Sequence, residues 1–406
     1  MNRADGLLAD GGATPLADAA RMLNAELGLI DRSETVPLES AAGRVLSEPV
    51  TAKRNMPHFR RAERDGYAVK SEDVTTATAD EPVVLSEAEE PLKAGETSYV
   101  HTGSAVPEGA DAVVMIEDAT ESSAGIAVHE AVTAGTYVTP IGAELEAGQI
   151  LYETGDRLRP GDLGVLKGSG IEAVTVRERP RVAVIPTGEE LVQETPAPGQ
   201  VLETNGLVGA ALVEHWCGEP TYRDVVTDDR DALAAAIERD LGADLIVTSG
   251  GSSVGARDLL PAVVEDRGRL LVEELALRPG HSASIGVVSG TPIVMLPGTP
   301  IAALVVAWLL VRPALSSAMG AETIAPPTTL ARIESDVASS PDLRTVHGIS
   351  IQETETPSEV PTAKFVDGGG LPSLSRINGW LQVGESTTEI QQQELVSVER
   401  WGDGPC

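Results

Sequence analysis

The apolar run Asp244-Leu245-Ile246-Val247 leads into Thr248-Ser249-Gly250-Gly251-Ser252-Ser253-Val254-Gly255-Ala256-Arg257-Asp258, and a helical pattern from Leu259 to Arg267 leads out. That order predicts a strand, a glycine-rich loop and a helix. Gly250 and Gly251 remove side chains where a ligand could approach the backbone, and they permit backbone angles that other residues avoid. Ser249, Ser252 and Ser253 add hydroxyls, and the N–H groups at a helix start favour an anion. Asp258 falls one turn inside the helix, close to any phosphate or metal bound there. The same residues also read as a plain strand-to-helix turn, with Asp258 favouring the helix N-terminus. The loop lacks the Gly-Lys-Ser/Thr of a P-loop and the Gly-x-Gly-x-x-Gly of a dinucleotide site.

From Arg181 onward, strands and helices alternate regularly. Val182 to Ile185 reads as a buried strand, Asn205 as the cap of a helix through Glu214, Tyr222 to Val226 as extended chain, and Asp231 to Leu241 as an amphipathic helix. Ser284 to Val288 and Ile293 to Leu296 read as strands, and Pro297-Gly298-Thr299-Pro300 opens a helix from Ile301 to Ser316. Such units predict an open, mostly parallel sheet covered on both faces, with ligands at the carboxyl ends of its strands. Three loops have that polarity: Pro186-Thr187-Gly188-Glu189-Glu190, Ser249 to Asp258, and Leu296-Pro297-Gly298-Thr299. A phosphate-bearing ligand would fit them, with a divalent ion on Glu190 and Asp258; hard oxygen donors suit magnesium (Mg2+).

On either side of this α/β segment the chain reads as short strands and turns. Residues 82–137 and 328–400 are each predicted to form a small β domain. Asp65-Gly66 precedes the strand start Tyr67-Ala68-Val69, so Asp65 is either a functional carboxylate or simple turn chemistry. His101, which opens the polar loop 101–111, reads as a surface or structural histidine. A helical period marks Pro15 to Leu29, and Glu39 to Leu46 reads as a short helix.

The chain has 62 acidic and 30 basic residues, a net charge of −32, and only five lysines among 406 residues. Such a balance repels nucleic acid and anionic membrane. Its spread over every segment suggests a halophilic protein in a cytoplasm at molar salt, where the Debye length falls to ~3 Å. Met1 to Asp10 shows no signal-peptide pattern, and no apolar run approaches the ~20 residues of a membrane span. Cys217 and Cys406 are too few for a disulfide framework or a zinc site. The expected location is therefore cytoplasmic.

Taken together, five stretches resemble the molybdopterin molybdenumtransferases, the family that includes the E domain of gephyrin. They are Asp65-Gly66-Tyr67-Ala68-Val69; Thr102-Gly103 with Pro107 to Val114; Pro186-Thr187-Gly188-Glu189-Glu190-Leu191; Ser249-Gly250-Gly251 with Val254-Gly255 and Asp258; and Leu296-Pro297-Gly298 with Pro300. Asn378-Gly379 fits the last domain. The resemblance implies a multidomain, elongated α/β plus β chain, with a central open α/β molybdopterin-binding domain and small β domains at either side. It divides the chain into 1–50 with 138–178 (a discontinuous dimerisation domain), 51–137, 179–323 and 324–406.

The resemblance also implies a homodimer that inserts molybdate, or tungstate, into adenylylated molybdopterin and releases AMP using magnesium. A molybdopterin adenylyltransferase is the implied upstream partner. By motif position Asp258 and Glu190 would hold the ion, and Asp65 would join them in catalysis. Thr102, Thr187, Gly188, Ser249, Gly250, Gly251, Ser252, Gly255, Pro297, Gly298, Arg278 and His281 would bind the substrates.

Departures from the family pattern fall near the expected oxyanion site. Phe59-Arg60-Arg61-Ala62-Glu63-Arg64 stands where Phe-Asp-x-Ser-Ala-Met is usual, Arg278-Pro279-Gly280-His281 where Lys-Pro-Gly-Lys is usual, Glu274 for Lys and Ala302 for Ser. A tetrahedral dianion wants cationic and hydroxyl donors. Two accounts follow: donors rearranged, with Arg60, Arg61 or Arg64 replacing the lysines, or a divergent, haloarchaeal-type paralogue that carries molybdopterin without efficient metal insertion.

Overall fold

The computed structural model describes residues 12–250, 259–339, 341–353, 360–366, 368, 370–387 and 389–400. Two compact units emerge, one from Met1–Glu34, Gly43–Val45 and Val176–Cys406, the other from Thr35–Ala42 and Leu46–Thr175.

The first unit contains a six-stranded sheet in the order Glu219–Tyr222, Arg181–Pro186, Leu245–Ser249, Thr291–Leu296, Ser284–Val288, Arg269–Val272. The first four strands are parallel. Every residue of Leu245–Ser249 and Thr291–Leu296 is buried, as strands covered on both faces must be. Alternation then sorts their side chains. Val182, Val184, Leu245, Val247 and Val294 pack on one face with Leu304, Val306 and Leu310, while Ala183, Ile185, Ile246, Ile293 and Met295 pack on the other with Leu233, Ile237, Leu260 and Val264.

The sheet is mostly parallel, as the alternation predicts, but Ser284–Val288 and Thr291–Leu296 form an antiparallel hairpin. Its two-residue turn, Ser289-Gly290, has positive φ at both positions (50° and 85°), the geometry that matches the twist of paired strands. The expected helix after Pro300 runs from Pro300 to Ala318. It contains a π-helical turn over Ala307–Val311, just before Pro313, whose ring cannot donate to or sit against the preceding turn. Among the described residues this is the helix long and apolar enough to cross a membrane, and 78% of its apolar window is buried in the core.

The last segment of this unit closes on itself. Arg344–Gln352, Thr362–Phe365, Thr328–Ile333, Leu395–Arg400 and Gly379–Val383 pair in turn, and the last pairs back with the first. Closure removes exposed strand edges around a core of Ile333, Ile349, Leu381, Val383 and Val398. Leu277–Arg278 adds to this ring in parallel with Arg344–Gln352.

The second unit holds a six-stranded sheet in the order Ala112–Met115, Gly66–Val69, Glu96–Val100, Val83–Glu87, Gly125–Val128, Ala119–Ser122. Gly66 is a strand residue rather than a turn residue: a Cβ there would lie 2.0 Å from the Val114 carbonyl oxygen. The helix expected over Glu39 to Leu46 is only the 3-10 turn Leu38–Ser40, because the Leu46 N–H is spent on the Asp156 carbonyl, 2.9 Å away.

Candidate functional site

Strands Arg181–Pro186, Leu245–Ser249 and Thr291–Leu296 are immediate neighbours, and their last residues are level: Pro186 pairs with Ser249, and Ser249 with Leu296. The expected loops therefore emerge side by side. The Thr187 N–H donates to the Ser249 carbonyl (2.8 Å), and the Gly250 N–H to the Leu296 carbonyl (3.3 Å). Gly250 has φ +106°, and a Cβ there would lie 2.0 Å from the Thr187 carbonyl oxygen. A Cβ on Gly298 would come 3.8 Å from the Gly250 Cα, so the loops approach backbone to backbone. Pro297 connects the third strand to this Gly298 turn.

Thr187, Thr248 and Ser249 are 1%, 1% and 2% exposed, and their hydroxyls have no partner among the described residues. A buried, unsatisfied hydroxyl costs about 1–3 kcal/mol. Hydroxyls kept in that state at the carboxyl ends of parallel strands are available to a ligand. Asn205 does not cap its helix. Thr204 occupies the cap position, and the Asn205 amide donates to the Gly298 carbonyl at 2.8 Å, tying the helix to the third loop.

Glu190 folds back over Gly188, where a Cβ would lie 3.2 Å from both of its carboxylate oxygens. Asp228, a residue missed in the sequence, stands beside it. Thr187 bridges to Val226 and the Gly188 N–H donates to the Val226 carbonyl, so the 226–228 segment runs along the loop. Burial raises the Asp228 pKa, the charges of Glu190 and Glu189 raise it further, and a hydrogen bond from the Glu189 N–H opposes them. The signal was present in Asp228-Asp229: only Asp229 caps the following helix, accepting from the N–H groups of Asp231 and Ala232, which leaves Asp228 without a local role.

Two carboxylates on adjoining segments whose charges repel each other are hard oxygen donors of the kind a divalent cation takes. Among the described residues no group of three or more metal-ligating side chains occurs. Gly251, Ser252, Gly255 and Asp258 lie outside the described residues.

Arg278 and His281 belong to the segment that joins the closed β ring. Arg278 pairs with Thr345, and the exposed His281 offers its carbonyl to the Leu275 N–H at 2.9 Å. His347, also missed, lies two residues beyond Thr345. Its Nε2 is buried with no hydrogen-bond partner among the described residues, and burial, then the Arg278 charge, lowers its pKa. The unfolded chain thus binds this proton more readily than the folded one, so stability falls as pH drops through the ordinary histidine value of about 6.5. His347→Gln is expected to flatten that part of a denaturation-versus-pH curve; an unchanged curve would sink the assignment.

In the second unit Asp65 Oδ1 accepts the Thr102 N–H at 2.7 Å, and the Asp65 carbonyl accepts the Ile116 N–H. The carboxylate thus bonds across to a neighbouring loop instead of capping its own turn. The Thr102 N–H holds its pKa below the usual carboxylate range, with help from His101, whose Nδ1 is 3.7 Å away.

A mostly parallel sheet whose carboxyl ends carry closely approaching glycine loops, and buried hydroxyls with no partner among the described residues, has the features of a ligand-binding α/β protein. Residues 14–170 match the family described as MoeA N-terminal region (domain I and II), and residues 183–317 the one described as Probable molybdopterin binding domain. Over 316 residues the chain is 35% identical to molybdopterin molybdenumtransferase 2 of Mycobacterium tuberculosis, covering 73% of this chain and 78% of that one. It is 32% identical over 299 residues to the molybdopterin molybdenumtransferase of Nostoc sp., covering 70% and 69%. A solved structure of the molybdopterin biosynthesis MoeA protein from Pyrococcus horikoshii is similar at TM-score 0.82 and 30% identity, covering 96% of this chain and 99% of that one. The chain belongs to the molybdopterin molybdenumtransferase family and is a transferase of molybdenum cofactor biosynthesis.

Proposed function

We propose that the chain inserts molybdate, or tungstate, into adenylylated molybdopterin in a magnesium-dependent reaction that releases AMP. The observation that carries this reading is the Glu190–Asp228 pair beside the glycine- and hydroxyl-lined ends of the parallel strands. Glu190 and Asp228 would hold the ion, with Asp258 joining them by its sequence position. Bound there, magnesium would offset charge building on phosphate oxygens. The Thr187 and Ser249 hydroxyls would orient the substrate's phosphate, and the Gly250 and Gly298 turns let it approach the backbone. Arg278 and His281 would meet the oxyanion, Arg278 through a planar fork.

The proposed setting is a homodimer in a cytoplasm of high salt, supplied by a molybdopterin adenylyltransferase. The charge of −32 supports the salt: without screening, like charges destabilise the compact state. The proposed division is 1–50 with 138–178, 51–137, 179–323 and 324–406.

The test is AMP release from adenylylated molybdopterin in molar potassium chloride with magnesium, with and without molybdate or tungstate. Release that depends on one oxyanion supports the reading and names the metal. Tight pterin binding without oxyanion-dependent release would overturn it in favour of a carrier, its oxyanion site disabled at Glu274, His281 and the buried Ala302. Activity is expected to fall sharply below about 0.1 M salt, where the Debye length exceeds ~10 Å and neighbouring surface carboxylates are no longer screened from one another.

A further inference from the structure

An anionic substrate brought to Asp65 meets a carboxylate that is half exposed and ionised, and repulsion must be offset by nearby cations. No lysine lies between Arg54 and Val69, but Arg60, Arg61 and Arg64 do. Arg60 is spent within the fold, its guanidinium donating to the carbonyls of Ala110 (2.7 Å) and Pro107 (3.3 Å). Arg61 is ion-paired with Glu144 at 2.6 Å. Arg64 is exposed and makes no hydrogen bond or ion pair among the described residues; its guanidinium stands 6.0 Å from the Tyr137 ring centroid. A guanidinium placed over a ring keeps its N–H edges for a planar or tetrahedral anion.

Register places an imidazole opposite Asp65. Gly66 pairs with Val100 in antiparallel strands, so one step further sets Asp65 opposite His101. The two loops are joined there: Gly103 donates to the Ala62 carbonyl, and Ala62 to the Ser104 carbonyl. The His101 ring is 79% exposed and held edge-on to Tyr99, with centroids 5.0 Å apart. The neighbouring carboxylate of Glu63 accepts a hydrogen bond from the Thr139 hydroxyl at 2.9 Å.

We propose that Arg64 and His101, beside Asp65, bind a tetrahedral oxyanion of the substrates, and that of these two Arg64 makes the stronger contact. This rests on the proposed reaction for its substrates but not for its test, because binding is measured without turnover. Dissociation constants of AMP and of molybdate are measured separately by equilibrium dialysis against the full-length chain in molar potassium chloride with magnesium. Arg64→Gln is expected to weaken one of the two ligands about tenfold, as loss of a charge-assisted contact does. Arg64→Lys should recover part of it, and His101→Gln should weaken the same ligand by a smaller factor. The ligand affected identifies the source, adenylate phosphate or metal oxyanion. Arg61→Gln removes the same formal charge from the same loop and is expected to leave both constants within twofold. Equal losses in Arg61→Gln and Arg64→Gln would reduce the effect to overall loop charge and overturn the proposal, as would unchanged constants in Arg64→Gln.

Discussion

Gly250→Ala is expected to destabilise the first unit by about 3–5 kcal/mol and to abolish substrate binding. The new methyl would lie 2.0 Å from the Thr187 carbonyl oxygen and 3.3 Å from its hydroxyl. Backbone cannot move aside as a flexible side chain can, and the +106° φ adds its own strain. Relief requires parting the first and second loops, which breaks the hydrogen bond from Thr187 to Ser249. Gly298→Ala is the matched control: its methyl would meet only the Gly250 Cα, at 3.8 Å, an ordinary contact. It should cost under about 1 kcal/mol. Thermal denaturation of both variants decides the matter, with a melting temperature some ten degrees lower expected for Gly250→Ala alone. Equal stability of the two would mean that the loops are not packed backbone to backbone.

Glu190→Gln and Asp228→Asn are each expected to lower AMP release by about a hundredfold or more and to raise the magnesium concentration needed for half-activity. Each removes one of two carboxylates that would share a cation, so the double variant should be little worse than either single one. In the absence of magnesium, Glu190→Gln should leave the fold as stable or slightly more so. It relieves part of the repulsion that, after burial, holds the Asp228 pKa up. Loss of activity with gain of stability separates a cation site from a structural ion pair, whose breakage would cost stability. A magnesium titration that superimposes on wild type would remove the ion from these two residues.

The glycine and proline pattern at the ends of three apolar runs made the adjoining strand ends and the backbone-to-backbone approach of their loops legible, since such an approach demands those residue types. Asp228 and His347 escaped because their roles depend on neighbours far away in sequence. Asp228 reads as one of two acids before a helix until Glu190 is set beside it, and His347 is one residue of an amphipathic strand until Arg278 joins that strand's edge. Asp65-Gly66 misled in part, because the pair is common in turns. Here Gly66 makes room for the Val114 carbonyl, and Asp65 bonds across to Thr102.

The sequence by itself determined the alternating α/β plan, the burial of its central strands, the long apolar helix and the three loops. Each follows from local periodicity, or from what glycine and proline permit. Only the tertiary structure decided that Ser284–Val288 runs antiparallel, that the last β segment closes into a ring, and that Arg60 and Arg61 are occupied while Arg64 is exposed. Strand direction, ring closure and the partner of a long charged side chain are set by contacts between distant residues, whose pairing no local pattern encodes.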